Sequence, residues 1–207
     1  MAYKHTQFPE LRPEHFNDAK LFVNRHEMIK GLGLPAGGAI CEVGVAHGEF
    51  SQFLIETLKP AQFVAIDLFE MEKYPVHWGV PQEVLLQGKT HHQFYRDRFA
   101  SMGDRMTILR GLSFERLQEI PHASCDMIYI DAAHDYENVK RDAELSQHAL
   151  KADGTLIFND YVMYDPFIDA EYGVVQAVNE FIVAGGWSVV GFALQHSMFC
   201  DIAIRRT

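Results

Sequence analysis

Acidic and polar residues stand at the ends of apolar runs along this 207-residue chain. Asp67 ends one such run, Asp131 ends another, and Asn159 and Asp160 end a third. If these runs are parallel strands of one sheet, their carboxyl ends lie at the same edge, and that edge is where ligands bind in open sheets. Carboxylates gathered there repel one another unless a cation, a hydroxyl-rich ligand or backbone N–H groups offset their charge. The pattern therefore predicts a ligand site.

Two carboxylates and an amide at neighbouring strand ends form a set of hard oxygen ligands. Such a set suits Mg²⁺ or a similar ion, so Asp131, Asn159 and Asp160 are predicted metal ligands. A bound metal would lower the pKa of a coordinated hydroxyl group. His134, three residues after Asp131, could take the hydroxyl proton near neutral pH, so His134 and Asp131 are the predicted catalytic residues. The alternative is that the two aspartates only cap loops or helices and that His134 is a hydrogen-bonded turn residue.

A glycine turn, Glu42-Val-Gly-Val-Ala-His-Gly48, follows a short apolar run and precedes a predicted helix over residues 49–58. Glycine has no Cβ, so the backbone of such a turn can approach a ligand closely. The free N–H groups at the start of the following helix favour a partly anionic group. Ala46 stands where a dinucleotide-binding G-x-G-x-x-G turn would have its second glycine, which counts against NAD.

The elements that would position these residues alternate along the chain. Five strand-then-helix units with nearly continuous apolar strands predict a parallel sheet covered on both faces. Residues 187–193 and 198–205 are joined by too few residues for a helix, so they are predicted to pair as an antiparallel hairpin. A helix is predicted over residues 13–30. We expect one domain, residues 1–207, with an N-terminal helical extension over 1–33 and a core over 34–207.

Several motifs together resemble one known family. They are the glycine turn, Ala65-Ile-Asp67, Tyr129-Ile-Asp-Ala-Ala-His-Asp-Tyr136, Leu156-Ile-Phe-Asn-Asp-Tyr161 and the closing hairpin. With this order the chain resembles the class I S-adenosylmethionine-dependent methyltransferases from about residue 33 to residue 205. Within that family it is similar to the small-molecule O-methyltransferases, which include metal-dependent sugar and macrolide enzymes and, more distantly, the catechol type. The catechol type has Asp-Asn and the macrolide type tends to Asp-Asp where this chain has Asn159-Asp160.

The resemblance implies a fold, a cofactor and roles for particular residues. The fold is a Rossmann-like α/β three-layer αβα sandwich, whose mostly parallel seven-stranded sheet closes with the antiparallel C-terminal hairpin. S-adenosylmethionine would be the methyl donor, with Asp67 on its ribose hydroxyls, Glu42 near its sulfonium and amino groups, and Leu112-Ser113 at its adenine edge. The implied cofactor-binding residues are Glu42, Gly44, Val45, Gly48, Asp67, Leu68, Leu112, Ser113 and Asp131. The implied reaction is methyl transfer to a hydroxyl group of a small molecule, assisted by a divalent metal.

Composition limits the possible partners and the location. A net charge of −10 argues against a nucleic-acid or anionic-membrane surface. No apolar run approaches the ~20 residues of a membrane span, and the N-terminus has no signal-peptide core, so a cytoplasmic location is expected. His91 and His92 are predicted to lie on a solvated helix face. The exposed N-terminal segment and the hairpin edge make a homodimer a reasonable expectation.

Two other functions stay open from the sequence. One is an NAD(P)-dependent oxidoreductase on a similar sheet, disfavoured by the missing second glycine and by the terminal hairpin. The other is a protein that binds the cofactor without catalysis, disfavoured by the polar residues at every strand end.

Overall fold

The computed structural model describes residues 7–207, and residues 1–6 of the predicted N-terminal extension lie outside this range. The strands are β1 (Phe16–Phe22), β2 (Ala39–Val43), β3 (Gln62–Asp67), β4 (Val76–His77), β5 (Val80–Pro81), β6 (Met106–Arg110), β7 (Cys125–Ile130), β8 (Leu150–Phe158), β9 (Tyr164–Asp165), β10 (Ala170–Glu171), β11 (Trp187–Leu194) and β12 (Cys200–Arg206). The α-helices are α1 (Arg25–Gly31), α2 (Glu49–Leu58), α3 (Gln82–Leu85), α4 (His91–Arg98), α5 (Ser113–Arg116), α6 (Tyr136–Ala149) and α7 (Val174–Val183). Short 3₁₀ helices lie at Pro13–His15, Met71–Lys73, Ala100–Arg105, Leu117–Glu119 and His196–Met198.

Eight of the strands form one twisted sheet in the order β1-β11-β12-β8-β7-β2-β3-β6. β12 runs antiparallel to both of its neighbours, β11 and β8, and all other pairs in this sheet are parallel. The predicted α/β architecture with a closing antiparallel hairpin is confirmed. The remaining four strands make two small hairpins, β4 with β5 and β9 with β10.

Helices cover both faces of the sheet, which makes three layers. On β2, Cys41 and Val43 pack into the core beneath α6 and α7, whereas Ile40 packs into the core beneath α1 and α2. Successive strand residues point to opposite faces, and both faces are buried here. This is why the strands read as continuous apolar runs in the sequence.

The helix predicted over residues 13–30 is only partly correct. The segment begins with a 3₁₀ turn, continues as β1 and becomes helical only at α1. β1 pairs in parallel with β11, so the sheet has eight strands instead of the predicted seven. Nearly all of β1 is exposed, so its residues carry no alternating apolar pattern. α1 begins where the Asn24 side chain accepts a hydrogen bond from the backbone N–H of Glu27 at 2.9 Å.

Candidate functional site

Two adjoining cavities lie at the carboxyl ends of β2, β3, β7 and β8. Cavity A, of about 400 Å³, and cavity B, of about 690 Å³, share Gly44, Ala46, Trp78 and Asp131 in their walls. Every site residue predicted from the sequence lines at least one of them. Cavity A has Gly44, Asp67, Leu68, Leu112, Ser113 and Asp131, and cavity B has Glu42, Gly44, Val45, Gly48, Asp131, His134, Asn159 and Asp160.

The glycine turn after β2 requires glycine at Gly44 for a reason internal to the chain. Gly44 has φ +84°, and a Cβ built there would lie 1.9 Å from the carbonyl oxygen of Asp131. The turn thus passes directly against the end of β7. Gly48 also has a left-handed backbone, φ +82°, where α2 begins, and a Cβ there would lie 2.8 Å from the ring of Phe99. Both glycines let the turn pack tightly between its neighbours.

Asp67, at the end of β3, holds this turn through its carboxylate. One oxygen accepts hydrogen bonds from the backbone N–H groups of Val45 at 2.9 Å and Ala46 at 3.1 Å. The other accepts from the N–H of Phe69 at 2.6 Å. A carboxylate offers about four acceptor sites, so Asp67 can still accept a hydrogen bond from a hydroxyl group in cavity A.

His91 departs from the prediction of a solvated histidine, because it is completely buried in the wall of cavity A. Its Nε2 lies 2.6 Å from the carbonyl oxygen of Ala46. A carbonyl oxygen only accepts hydrogen bonds, so Nε2 carries the hydrogen. Nδ1 is 4.0 Å from an Asp67 oxygen and has no hydrogen-bond partner among the described residues. Burial lowers the pKa of His91, which keeps the imidazole neutral.

The sequence did contain a signal for this position. Thr90 and Gln93 form a reciprocal capping box, with the Thr90 side chain accepting from the Gln93 N–H at 3.2 Å. This box marks His91 as the first residue of α4. One turn and two turns further along the same helix, Tyr95 and Arg98 also face the glycine turn. Arg98 donates a hydrogen bond to the carbonyl oxygen of His47 at 2.8 Å.

Glu42 is buried at the bottom of cavity B, with 2% of its surface exposed. The hydroxyl of Ser51 donates to its carboxyl group at 2.5 Å, and the hydroxyl of Tyr95 donates to the Ser51 oxygen at 2.9 Å. Burial raises the pKa of Glu42 to about 8, although the Ser51 hydrogen bond opposes the rise. Glu42 therefore retains its proton at neutral pH.

The predicted catalytic cluster comes together in cavity B. The Nε2 of His134 lies 3.6 Å from an Asp131 oxygen and 3.5 Å from an Asp160 oxygen, and its ring stacks on Tyr172 with centroids 4.5 Å apart. Burial by itself would lower the pKa of His134, but the two carboxylates raise it above its ordinary value. Burial and the charge of Asp131 raise the pKa of Asp160 to about 6. The imidazole is thus held between two carboxyl groups.

The predicted metal ligands converge only in part. Asp131 and Asp160 both face His134, but the amide nitrogen of Asn159 donates to Asp131 at 3.1 Å and its carbonyl oxygen accepts from Gln195 at 3.2 Å. The Asn159 oxygen is therefore engaged inside the protein. Across residues 7–207, no three or more His, Cys, Asp or Glu side chains are grouped so that they could hold a metal ion. The three-residue ligand set does not fit a metal in this arrangement.

A buried polar network beneath cavity B was not foreseen from the sequence. Nη1 of Arg25, on α1, donates to the hydroxyl of Tyr129 at 3.3 Å, and this hydroxyl donates to Asp201 at 2.6 Å. Gln195 also donates to Asp201. Arg25, Gln195 and Asp201 come from the two ends of the chain, away from the strand-end pattern, and no local sequence signal identifies them.

Comparison with known proteins agrees with this geometry. A family model described as a methyltransferase domain matches residues 41–161, more than half of the chain. No curated protein matches the sequence significantly. No helix within residues 7–207 is long and apolar enough to cross a membrane.

Solved structures with the same fold share little sequence with this chain. An O-methyltransferase family protein from Burkholderia thailandensis has a TM-score of 0.60 at 12% identity, over 88% of this chain and 55% of its own. The pyocyanin biosynthetic protein PhzM has a TM-score of 0.59 at 16% identity, over 89% of this chain and 55% of its own. A SAM-dependent methyltransferase from Aquifex aeolicus has a TM-score of 0.56 at 14% identity, over 88% of this chain and 89% of its own.

The chain spans about half the length of the first two of these proteins, and identities this low relate the folds alone. The family match carries the assignment further, since it runs from within β2 to just beyond β8 and includes the glycine turn, Asp67, His134 and Asp160. The chain therefore belongs to a methyltransferase-domain family and has the fold of the class I S-adenosylmethionine-dependent methyltransferases.

Proposed function

We propose that this protein transfers a methyl group from S-adenosylmethionine to a hydroxyl group of a small molecule. The observation that carries the proposal is the position of His134 between Asp131 and Asp160 on the wall of cavity B, beside the glycine turn shared with cavity A. One cavity suits a nucleoside and the other holds groups that can accept a proton.

The residues of cavity A fit the nucleoside part of the donor. Asp67 has acceptor capacity left for ribose hydroxyls, and Leu68, Leu112 and Met71 supply apolar wall. The glycine turn ends at the N-terminus of α2, whose N–H groups favour a partly anionic ligand. When bound, S-adenosylmethionine supplies an electrophilic methyl group.

In cavity B, the neutral form of His134 would accept the proton of the acceptor hydroxyl, at its Nε2 atom. The carboxylates that raise its pKa make this form a stronger base and also make it less populated as pH falls. Asp131 and Asp160 would stabilise the imidazolium that forms, because both carboxyl groups lie within 3.6 Å of that nitrogen. Tyr172 stacks on the imidazole at 4.5 Å and fixes its plane. The chain thus provides a held base, and proximity would supply much of the acceleration.

Metal assistance remains a prediction from the sequence. Asp131 and Asp160 are the two side chains of the predicted set whose carboxylate oxygens could bind Mg²⁺, and we derive no step through a metal. Its test is calorimetric titration of Mg²⁺ into the chelator-treated protein and into Asp160→Asn. A metal site would be supported if Mg²⁺ binds to the chelator-treated protein and does not bind to the Asp160→Asn variant.

We further propose that the methyl acceptor is a small molecule, because the net charge of −10 argues against a nucleic-acid substrate. We also propose a homodimer, as expected from the exposed N-terminal segment and the edge of the closing hairpin. Light scattering on the purified chain tests the dimer.

Ligand-dependent thermal stability tests the main proposal. The melting temperature would be measured with S-adenosylmethionine, S-adenosylhomocysteine and NAD. A ligand at 100 times its dissociation constant stabilises by roughly 2.7 kcal/mol, so both sulfur compounds should raise the melting temperature and NAD should not. A rise with NAD alone would indicate an oxidoreductase, and binding of the sulfur compounds without methyl transfer to any hydroxyl acceptor would indicate a protein that only binds the cofactor.

A further inference from the structure

Arg25 brings a positive charge into a cavity that otherwise has acidic walls. It is the first residue of α1, and among the described residues that line cavity B it is the only lysine or arginine. Glu42, Asp131 and Asp160 line the same cavity. A guanidinium in a cavity wall is a group that can bind a carboxylate of a bound molecule, provided that its N–H donors are not already taken up by the protein.

The guanidinium of Arg25 is held in position before any ligand arrives. It lies over the ring of Phe50, 4.2 Å from the centroid, and Nη1 donates to Tyr129. Asp131 is 3.6 Å from the same nitrogen, which is an ion pair without a hydrogen bond. Burial of Phe50 and Tyr129 fixes both partners.

The donor capacity of Arg25 is mostly unused. A guanidinium has five N–H donors in a planar fork that matches a carboxylate. Within residues 7–207, its side-chain hydrogen bond is the single one from Nη1 to Tyr129, and 26% of the side chain is exposed. The fork can therefore take a two-oxygen anion from cavity B.

We propose that Arg25 binds the carboxylate at the amino-acid end of S-adenosylmethionine. This inference rests on the proposed function. A ligand whose ribose reaches Asp67 in cavity A passes Gly44, which both cavities share, and its amino-acid end then lies in cavity B with Arg25. Arg25 stands outside residues 41–161, the part of the chain that matches the family model. It is a binding residue contributed by the N-terminal segment.

The test compares two ligands that differ only at the amino-acid end. Calorimetry would measure S-adenosylhomocysteine, which has the carboxylate, and 5′-methylthioadenosine, which lacks it, on the intact chain and on Arg25→Gln. A hydrogen bond to a charged group contributes about 1.5–3 kcal/mol, so Arg25→Gln should weaken S-adenosylhomocysteine roughly 10- to 100-fold. Its affinity for 5′-methylthioadenosine should change less than about twofold. No acceptor is present, so a carboxylate on the acceptor cannot produce this difference.

The matched control is Lys30→Gln, which removes a positive charge from the same helix. Lys30 pairs with Glu27 at 2.8 Å and lines neither cavity, so both affinities should stay unchanged. Arg25→Lys, which keeps the charge and loses the fork, should have an intermediate affinity for S-adenosylhomocysteine and serves if Arg25→Gln does not fold.

Each result distinguishes this inference from the proposed function. Equal weakening of both ligands would show that Arg25 only supports the structure, and unchanged binding of S-adenosylhomocysteine would show that its carboxylate binds elsewhere. Either result overturns the inference and leaves the proposed function standing. If the unaltered protein binds neither ligand, the proposed function itself fails.

Discussion

The Nε2 atom of His91 donates a hydrogen bond to the carbonyl oxygen of Ala46 at 2.6 Å. Ala46 is a non-glycine residue with φ +42°, and its N–H is already bound by Asp67. Ala46, the strained residue of the turn, is therefore held at its N–H by Asp67 of β3 and at its carbonyl oxygen by His91 of α4. This relationship makes α4 part of the site, although no residue of α4 was predicted to belong to it.

Replacing His91 with Phe removes the donor and keeps the ring. We expect S-adenosylhomocysteine to bind up to about tenfold more weakly, because the turn that lines both cavities loses a hydrogen bond that contributes roughly 0.5–1.5 kcal/mol. His91→Gln offers an N–H at the end of its side chain and should recover most of the affinity. Calorimetry measures both, and His92→Phe, at the next residue, is the control. Equal affinities for Phe and Gln at position 91 would contradict this role.

Gly44 and Gly37 make a matched pair, because both have left-handed backbone, φ +84° and φ +76°. A Cβ at Gly44 would collide with the Asp131 carbonyl, whereas a Cβ at Gly37 would meet nothing within 4 Å. Gly37→Ala should cost about 1–2 kcal/mol from backbone strain, and Gly44→Ala should cost about 3 kcal/mol or more because overpacking is added. Urea unfolding measures both. Similar losses would mean that β2 and β7 can separate here.

His134→Gln tests the proposed base. The rate of methyl transfer at saturating donor should fall roughly 10²- to 10⁴-fold, as expected when a general base is removed. Affinity for S-adenosylhomocysteine should be retained, because the proposed role of His134 is to take the proton of the acceptor hydroxyl and not to bind the methyl donor. Single-turnover kinetics and calorimetry together separate the two effects. A variant that loses both would indicate a structural role for this histidine.

Asp201 should make stability depend on pH. Burial raises its pKa from 3.8 to about 7, while the hydrogen bond from Tyr129 opposes the rise. Between these values the folded protein keeps a proton that the unfolded chain has lost, so the free energy of unfolding falls as pH rises. The slope is at most about 1.4 kcal/mol per pH unit.

Asn resembles the protonated form of Asp201, so Asp201→Asn should have a smaller fall in stability between about pH 5 and about pH 8. Chemical denaturation at several pH values measures it. Asp153→Asn, at an exposed position, is the control. An unchanged slope in Asp201→Asn would mean that other groups cause the pH dependence.

The strand-end residues could be predicted because their signal is local. Buried parallel strands read as apolar runs, and Asp67, Asp131 and Asp160 interrupt them at the edge where ligands bind. The closing hairpin was equally visible, since too few residues join its strands for a helix. Each of these predictions needed only neighbouring residues.

Non-local pairing explains what could not be predicted. β1 is a strand only because β11, from the other end of the chain, offers it an open edge, and its exposed residues carry no pattern of their own. The network of Arg25, Tyr129 and Asp201 is also non-local, because it joins α1, β7 and β12. Asn159 was predicted as a metal ligand from its residue type, but its amide nitrogen donates to Asp131 and its oxygen accepts from Gln195, a contact that the sequence could not indicate.

The pairing of β1 with β11 also orders events during synthesis. A chain emerging from the ribosome presents β1 long before β11, and closing so long a loop is slow. β1 can pair only once β11 has been made, so the middle of the chain can form its sheet before β1 joins it. The sheet thus gains β1 as a late step of folding, and a ribosome stalled before residue 187 carries a glycine turn in a sheet that lacks this edge strand.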